Sequence, residues 1–108
     1  MRRISATKSS GNVFRDIGFD EPEAAELQAK ADLISALARV IKSRGLTQKQ
    51  AARLCRTDQP TLSKILRGRM ESVTMDLLSR WLVALGRNVE IAVRVPKRRA
   101  AKLTVKAA

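Results

Sequence analysis

The chain of 108 residues has no histidine and a single cysteine, Cys55. Without an imidazole there is no Ser/His or Cys/His catalytic pair. Without a second thiol there is no internal disulfide and no Cys/His zinc cage. Aromatic rings are nearly absent. Phe14, Phe19 and Trp81 are the full set, too few for a single-strand binder that stacks bases on aromatic platforms. No run of about 20 apolar residues occurs, so no membrane-spanning helix is expected. The opening stretch, residues 1–5, is basic but has no apolar segment behind it. That argues against a secretory signal and for a cytoplasmic protein. Asp58, Asp76 and Glu90 form no acid/base pair, and no glycine-rich phosphate loop follows a strand, so neither an enzyme nor a cofactor is expected.

Acidic residues are scarce too, ten against 22 lysines and arginines, for a net charge of +12. So positive a balance in a small domain points to a polyanion such as DNA or RNA. The charge is also unevenly placed. Residues 16–32 hold Asp16, Asp20, Glu21, Glu23, Glu26 and Asp32 against Lys30 alone. Residues 33–70 hold nine basic side chains against Asp58 alone, and residues 94–106 hold six with no acid. One region suits phosphates and another is kept away from them.

Residues 1–10 read as a disordered basic arm, 11–96 as one domain and 97–108 as a disordered basic tail. Residues 12–19 are expected to be an extended segment or single turn packed on the body. Asp20 with Glu23 suggests a capping box, and Pro22 suits a first helical turn. A helix to about Arg44 follows, stopped at Gly45. Its apolar stripe includes Leu27, Ala31, Ile34, Ala38 and Ile41, widened by Leu33, Leu37 and Val40. At roughly 36 Å it is longer than a small domain needs, so its first half is expected to project as an acidic handle. Thr47 with Gln50 marks a second capping box and a short helix to about Leu54. After a turn at Arg56-Thr57, Asp58 caps a helix with Pro60 in its first turn, ending at Gly68. Thr74 caps a last helix, residues 75–85, stopped at Gly86. Trp81 lies on its apolar face with Leu77, Leu78, Leu82 and Leu85, as core or interface. Residues 88–95 then alternate, with Val89, Ile91, Val93 and Val95 on one face, a strand pattern closed by Pro96.

Two short helices joined by a tight turn, in a basic surround, suggest a helix-turn-helix. The first helix must be small where the second crosses it, and Ala52 supplies this. Leu62 and Ile65 face inward, and Gln59, Thr61, Ser63 and Lys64 supply the polar side. Leu46-Thr47-Gln48, Ala51-Ala52, Leu54, Gln59 to Ser63, Ile65-Leu66 and Gly68 resemble the Cro/repressor helix-turn-helix, or XRE, family. Asn12-Val13-Phe14, Ile17-Gly18-Phe19, and Ala84 to Arg87 with the strand after them, resemble its HigA-like antitoxins. The resemblance covers about residues 11–96. The chain departs from the family's pattern at Arg56, where glycine is common, and at Asp58, where a small hydroxyl is common.

The resemblance implies a mainly α fold, a four- to five-helix repressor-like bundle with one C-terminal β-strand. It also implies that the second helix of the pair enters the major groove of duplex DNA, N-terminal residues at the base edges. Gln59 suits adenine N6 and N7, and Thr61 and Ser63 suit base edges or phosphates. Lys64 suits guanine or a phosphate. Family members use a glutamine at the position of Gln48 to bind a phosphate and brace the reading glutamine. Lys49, Arg53, Arg67 and Arg69 are expected to contact phosphates, which position without specifying. Cys55 is expected to be buried packing.

A lone strand needs a partner. Pairing of residues 88–95 with a second copy, helped by Trp81, Val89, Ile91 and Val93, would make a homodimer facing a palindromic operator. Pairing with residues 13–19 of the same chain is the alternative. The antitoxin resemblance implies a small basic toxin of the RelE/HigB type, which the acidic segment 16–32 would suit. The competing function is a non-specific nucleoid or RNA-binding protein.

Overall fold

In a computed structural model, residues 12–96 and 101–106 are described. Five helices follow in order: α1 (Val13–Asp16), α2 (Glu21–Ser43), α3 (Gln48–Leu54), α4 (Gln59–Leu66) and α5 (Met75–Ala84). The arm expected over residues 1–10 lies outside the described residues.

Side chains set the starts of the later helices. Thr47 Oγ1 accepts from the Gln50 N–H at 3.0 Å, and Gln50 Oε1 accepts from the Thr47 N–H at 2.8 Å, completing the box on α3. Asp58 accepts from the Thr61 N–H at 2.7 Å, and Thr74 from the Leu77 N–H at 3.1 Å. The box expected at Asp20 does not form: its side chain makes no cap bond. That start is held by Pro22, whose fixed φ suits the first turn, and by an ion pair between Glu21 and Arg15 of α1.

All five helices stop in the same way, the third residue past the helix bonding back to the third from its end. For α3 these bonds run from the Thr57 N–H to the Ala52 carbonyl at 2.9 Å and from the Arg56 N–H to the Arg53 carbonyl at 3.2 Å. The residue that turns left-handed is glycine at four of the stops and Arg56, at φ 60°, in the fifth.

α2 is the central element, packing on α5, α4 and α1. Leu33, Leu37 and Ile41 from α2 meet Leu62 and Ile65 of α4 and Leu78, Trp81 and Leu82 of α5, with Val73 and Leu85 closing the core. Ala38, expected on the buried stripe, is exposed. The Arg44 guanidinium donates to the Leu85 carbonyl at 3.0 Å and ties the ends of α2 and α5 together. The first half of α2 is not a bare handle. Asn12 caps α1 and donates across to the Ala24 carbonyl at 3.0 Å, and Ala24 is fully buried.

The C-terminal β-strand expected over residues 88–95 is absent, and no strand occurs among the described residues. A strand needs a ladder partner for its N–H and C=O groups, and residues 13–19, the candidate within the chain, are spent on α1. Val89 is half-buried against the core, but Ile91, Val93 and Val95 are 86%, 94% and 88% exposed. Residues 101–106, expected to be part of a disordered tail, return to the body, where Val105 packs against the core. Residues 102–106 and 87–92 border an open groove of about 490 Å³ over α2 and α5.

Candidate nucleic-acid interface

α3 and α4 pack on each other at right-sized residues. Ala51 and Ala52 are buried where α4 crosses, so no side chain holds the two backbones apart. Leu62 and Ile65 fill the inner side of α4, and Leu66 is half-buried beside them. This fixes which face of α4 meets solvent. At about 100° per residue, the face opposite Leu62 and Ile65 centres on Pro60, Lys64 and Arg67, with Ser63 and Gln59 toward one edge. Gln59, Lys64 and Arg67 are exposed and Ser63 is half-buried. Thr61 is exposed as well, at the other edge, roughly 60° beyond Lys64.

The two glutamines that open α3 and α4 meet. Gln59 Nε2 donates to Gln48 Oε1 at 3.0 Å, across eleven residues of sequence. The bond leaves Gln59 Oε1 and a second amide hydrogen for another partner, and the amide of Gln48 likewise. One glutamine thus holds the other at the N-terminal end of the exposed helix. A carboxamide held in this way can offer a donor and an acceptor together, the pattern that complements adenine in the major groove.

Long cations lie along the two helices. Lys49 and Arg53 on α3, Arg67 at the end of α4 and Arg69 beyond it are all exposed. Asp58 is the local exception. Its bonds to Thr61 hold its carboxyl below the usual carboxylate range, and Lys64 adds to the effect, so it is ionised at neutral pH. It secures the start of α4 while placing one negative charge beside the outward face.

A helix-turn-helix domain family matches residues 13–94 of the chain. A solved structure described as an XRE family transcriptional regulator is 36% identical, superposes with a TM-score of 0.76, and covers 81% of this chain and 100% of its own. The chain belongs to the XRE helix-turn-helix family. No curated protein matches the sequence.

Within this XRE helix-turn-helix, α3 and α4 are the paired helices, and the residues expected at the interface are spread over both. Gln48 and Gln59 are brought into contact, Ser63, Lys64 and Arg67 continue the outward face, and Thr61 is exposed at its opposite edge. Arg56 was assigned to the turn alone. It is exposed, three residues ahead of Gln59, and joins these cations. Its sequence signal was the charge itself, in a turn where glycine is common.

The residues expected at a dimer interface divide. Trp81 is 4% exposed and belongs to the core of the single chain, its carbonyl 3.9 Å from the Cys55 sulfur. The indole therefore offers almost no surface to a partner. Val89 is half-buried, while Ile91 and Val93 are open. Cys55 is the buried packing residue expected, and burial pushes its thiol up from its ordinary value. Among the described residues no group of His, Cys, Asp or Glu could hold a metal ion.

Proposed function

We propose that the protein is a cytoplasmic, non-enzymatic transcriptional repressor that binds a palindromic DNA site as a homodimer and controls its own promoter. The observation that carries this reading is the Gln48–Gln59 pair at the exposed N-terminal end of α4. A basic surface alone needs only phosphates. A pre-oriented carboxamide, braced by a second one, is suited to reading a base. Two copies would place their α4 helices about one DNA turn apart, near 34 Å, on the two half-sites. Selection from a random duplex library tests it. A recovered palindrome with half-sites about ten base pairs apart is expected. Recovery without any consensus would favour the second reading, non-specific binding through the basic surface.

We further propose that the repressor is the antitoxin of a toxin–antitoxin pair. The acidic residues 16–32, opposite in sign to the rest of the chain, suit a small basic ribonuclease of the RelE/HigB type. Co-expression with the product of the neighbouring gene tests this. Rescue of growth and co-purification are expected, and continued toxicity with no complex would remove the antitoxin role.

A further inference from the structure

Apart from Leu54, Val83 and Leu103, the exposed large apolar side chains of the described residues fall in two segments that carry opposite charge. The first is the corner of α1 and the start of α2. Val13 is 56% exposed, Ile17 68% and Phe19 39%, and Asp20, Glu21, Glu23 and Glu26 are exposed beside them. Residues 12–26 hold five acids against Arg15 alone, and Arg15 is already paired with Glu21. The second patch is the segment of Ile91, Val93 and Val95. Residues 87–106 hold seven basic side chains against Glu90 alone, a net of +6.

Exposed apolar side chains grouped into a contiguous patch mark an interaction surface, where single ones need no partner. Laying the C-terminal segment against its own copy would bring two +6 segments together, with Arg94 and its neighbours repelling along the contact. Laying it against the acidic corner buries the same apolar side chains and pairs opposite charges. Resting on the homodimer proposed above, we infer that the α1 corner of each copy covers the Ile91–Val95 segment of the other. A twofold dimer makes this contact twice, because each copy carries both patches. The contact also uses the acidic corner to hold basic chain, so a toxin bound at residues 16–32 would compete with it, and it leaves α3 and α4 free for DNA.

A photo-reactive phenylalanine analogue at position 17, in an equal mixture of unlabelled and nitrogen-15-labelled protein, tests the assignment. Position 17 is exposed, so the substitution spares the core. Cross-links from residue 17 to residues 91–95 that join light to heavy chains are expected. In sedimentation, Ile17→Asp and Val93→Asp should each raise the dimer dissociation constant at least tenfold. Glu23→Arg and Arg94→Glu should each weaken the dimer, and together they should restore part of it. A dimer in which residue 17 forms no light-to-heavy cross-link to residues 91–95, and which ignores substitutions at residues 17 and 23, would overturn the corner assignment and leave the homodimer standing. A wild-type chain that stays monomeric at micromolar concentration would overturn both.

Discussion

The helix-turn-helix pair and the segment after α5 have equally regular apolar patterns and opposite fates. In α3 and α4 the apolar positions other than Leu54 and Pro60 are buried or half-buried within the chain. Leu62, Ile65, Ala51 and Ala52 are all buried, and caps at Thr47 and Asp58 fix where each helix begins. In residues 88–95 the alternation is just as clean, yet only Val89 reaches the core. A helix closes its own hydrogen bonds and needs only a surface to lie on. A strand must borrow its bonds from a neighbour. A pattern along the chain thus specifies structure where its partners are local, and states an unmet need where they are not.

Substitution in the two regions sharpens the contrast most. Leu62→Ala, at a fully buried position, should cost about 3 kcal/mol of stability in urea titrations. Val93→Ala should change the stability of dilute protein by no more than about 0.5 kcal/mol. A large loss at Val93 in a monomeric sample would mean that the segment is packed within the chain. Next in size is Arg56, the one side chain among five left-handed helix stops. Relief of the left-handed strain, less the entropy glycine loses on folding, makes Arg56→Gly stabilising by about 1 kcal/mol, read as a rise of a few degrees in melting temperature. DNA binding should weaken slightly in the same variant, because a cation is lost.

Arg67→Gln should weaken binding to all duplexes alike and lower the slope of log affinity against log salt by about one. A selective loss at one sequence would move Arg67 from phosphate to base. The smallest effect concerns Asp58. Its carboxyl is lowered by its bonds to Thr61, so it contributes stability above the ordinary carboxylate range, near pH 4. That contribution disappears as pH falls through the lower folded value. Asp58→Asn, which still caps, should leave stability at neutral pH nearly unchanged and flatten the acid limb of thermal melts taken between about pH 5 and 2.

Much of the fold was legible because its signals are local. Thr47 with Gln50, Asp58 with Pro60, Thr74, and the glycines past α2, α4 and α5 mark helix limits within a residue or two. The turn at Arg56 was legible in place and in strain. What was not legible depends on contacts distant in sequence. Asp20 looks like a cap, but Asn12 and Arg15 of α1 reorganise that start. Ala38 fits the apolar period of α2, but no element covers it. Trp81 suited both core and interface by pattern, and only the packing of α5 on α2 places it inside. At the interface, the outward residues of α4 followed from helical period once Leu62 and Ile65 were inward. The same period places Thr61 at the opposite edge of that face from Gln59 and Ser63.

The central claim is that α4 reads sequence through Gln59. Fluorescence anisotropy in about 150 mM salt, with a duplex from the protein's own upstream region and a shuffled duplex of equal composition, tests it most directly. The wild type should prefer the upstream duplex by about a thousandfold. Gln59→Ala should lose about ten- to a hundredfold on that duplex and almost nothing on the shuffled one. Equal binding of both duplexes by the wild type, or an equal loss on both for Gln59→Ala, would contradict the account.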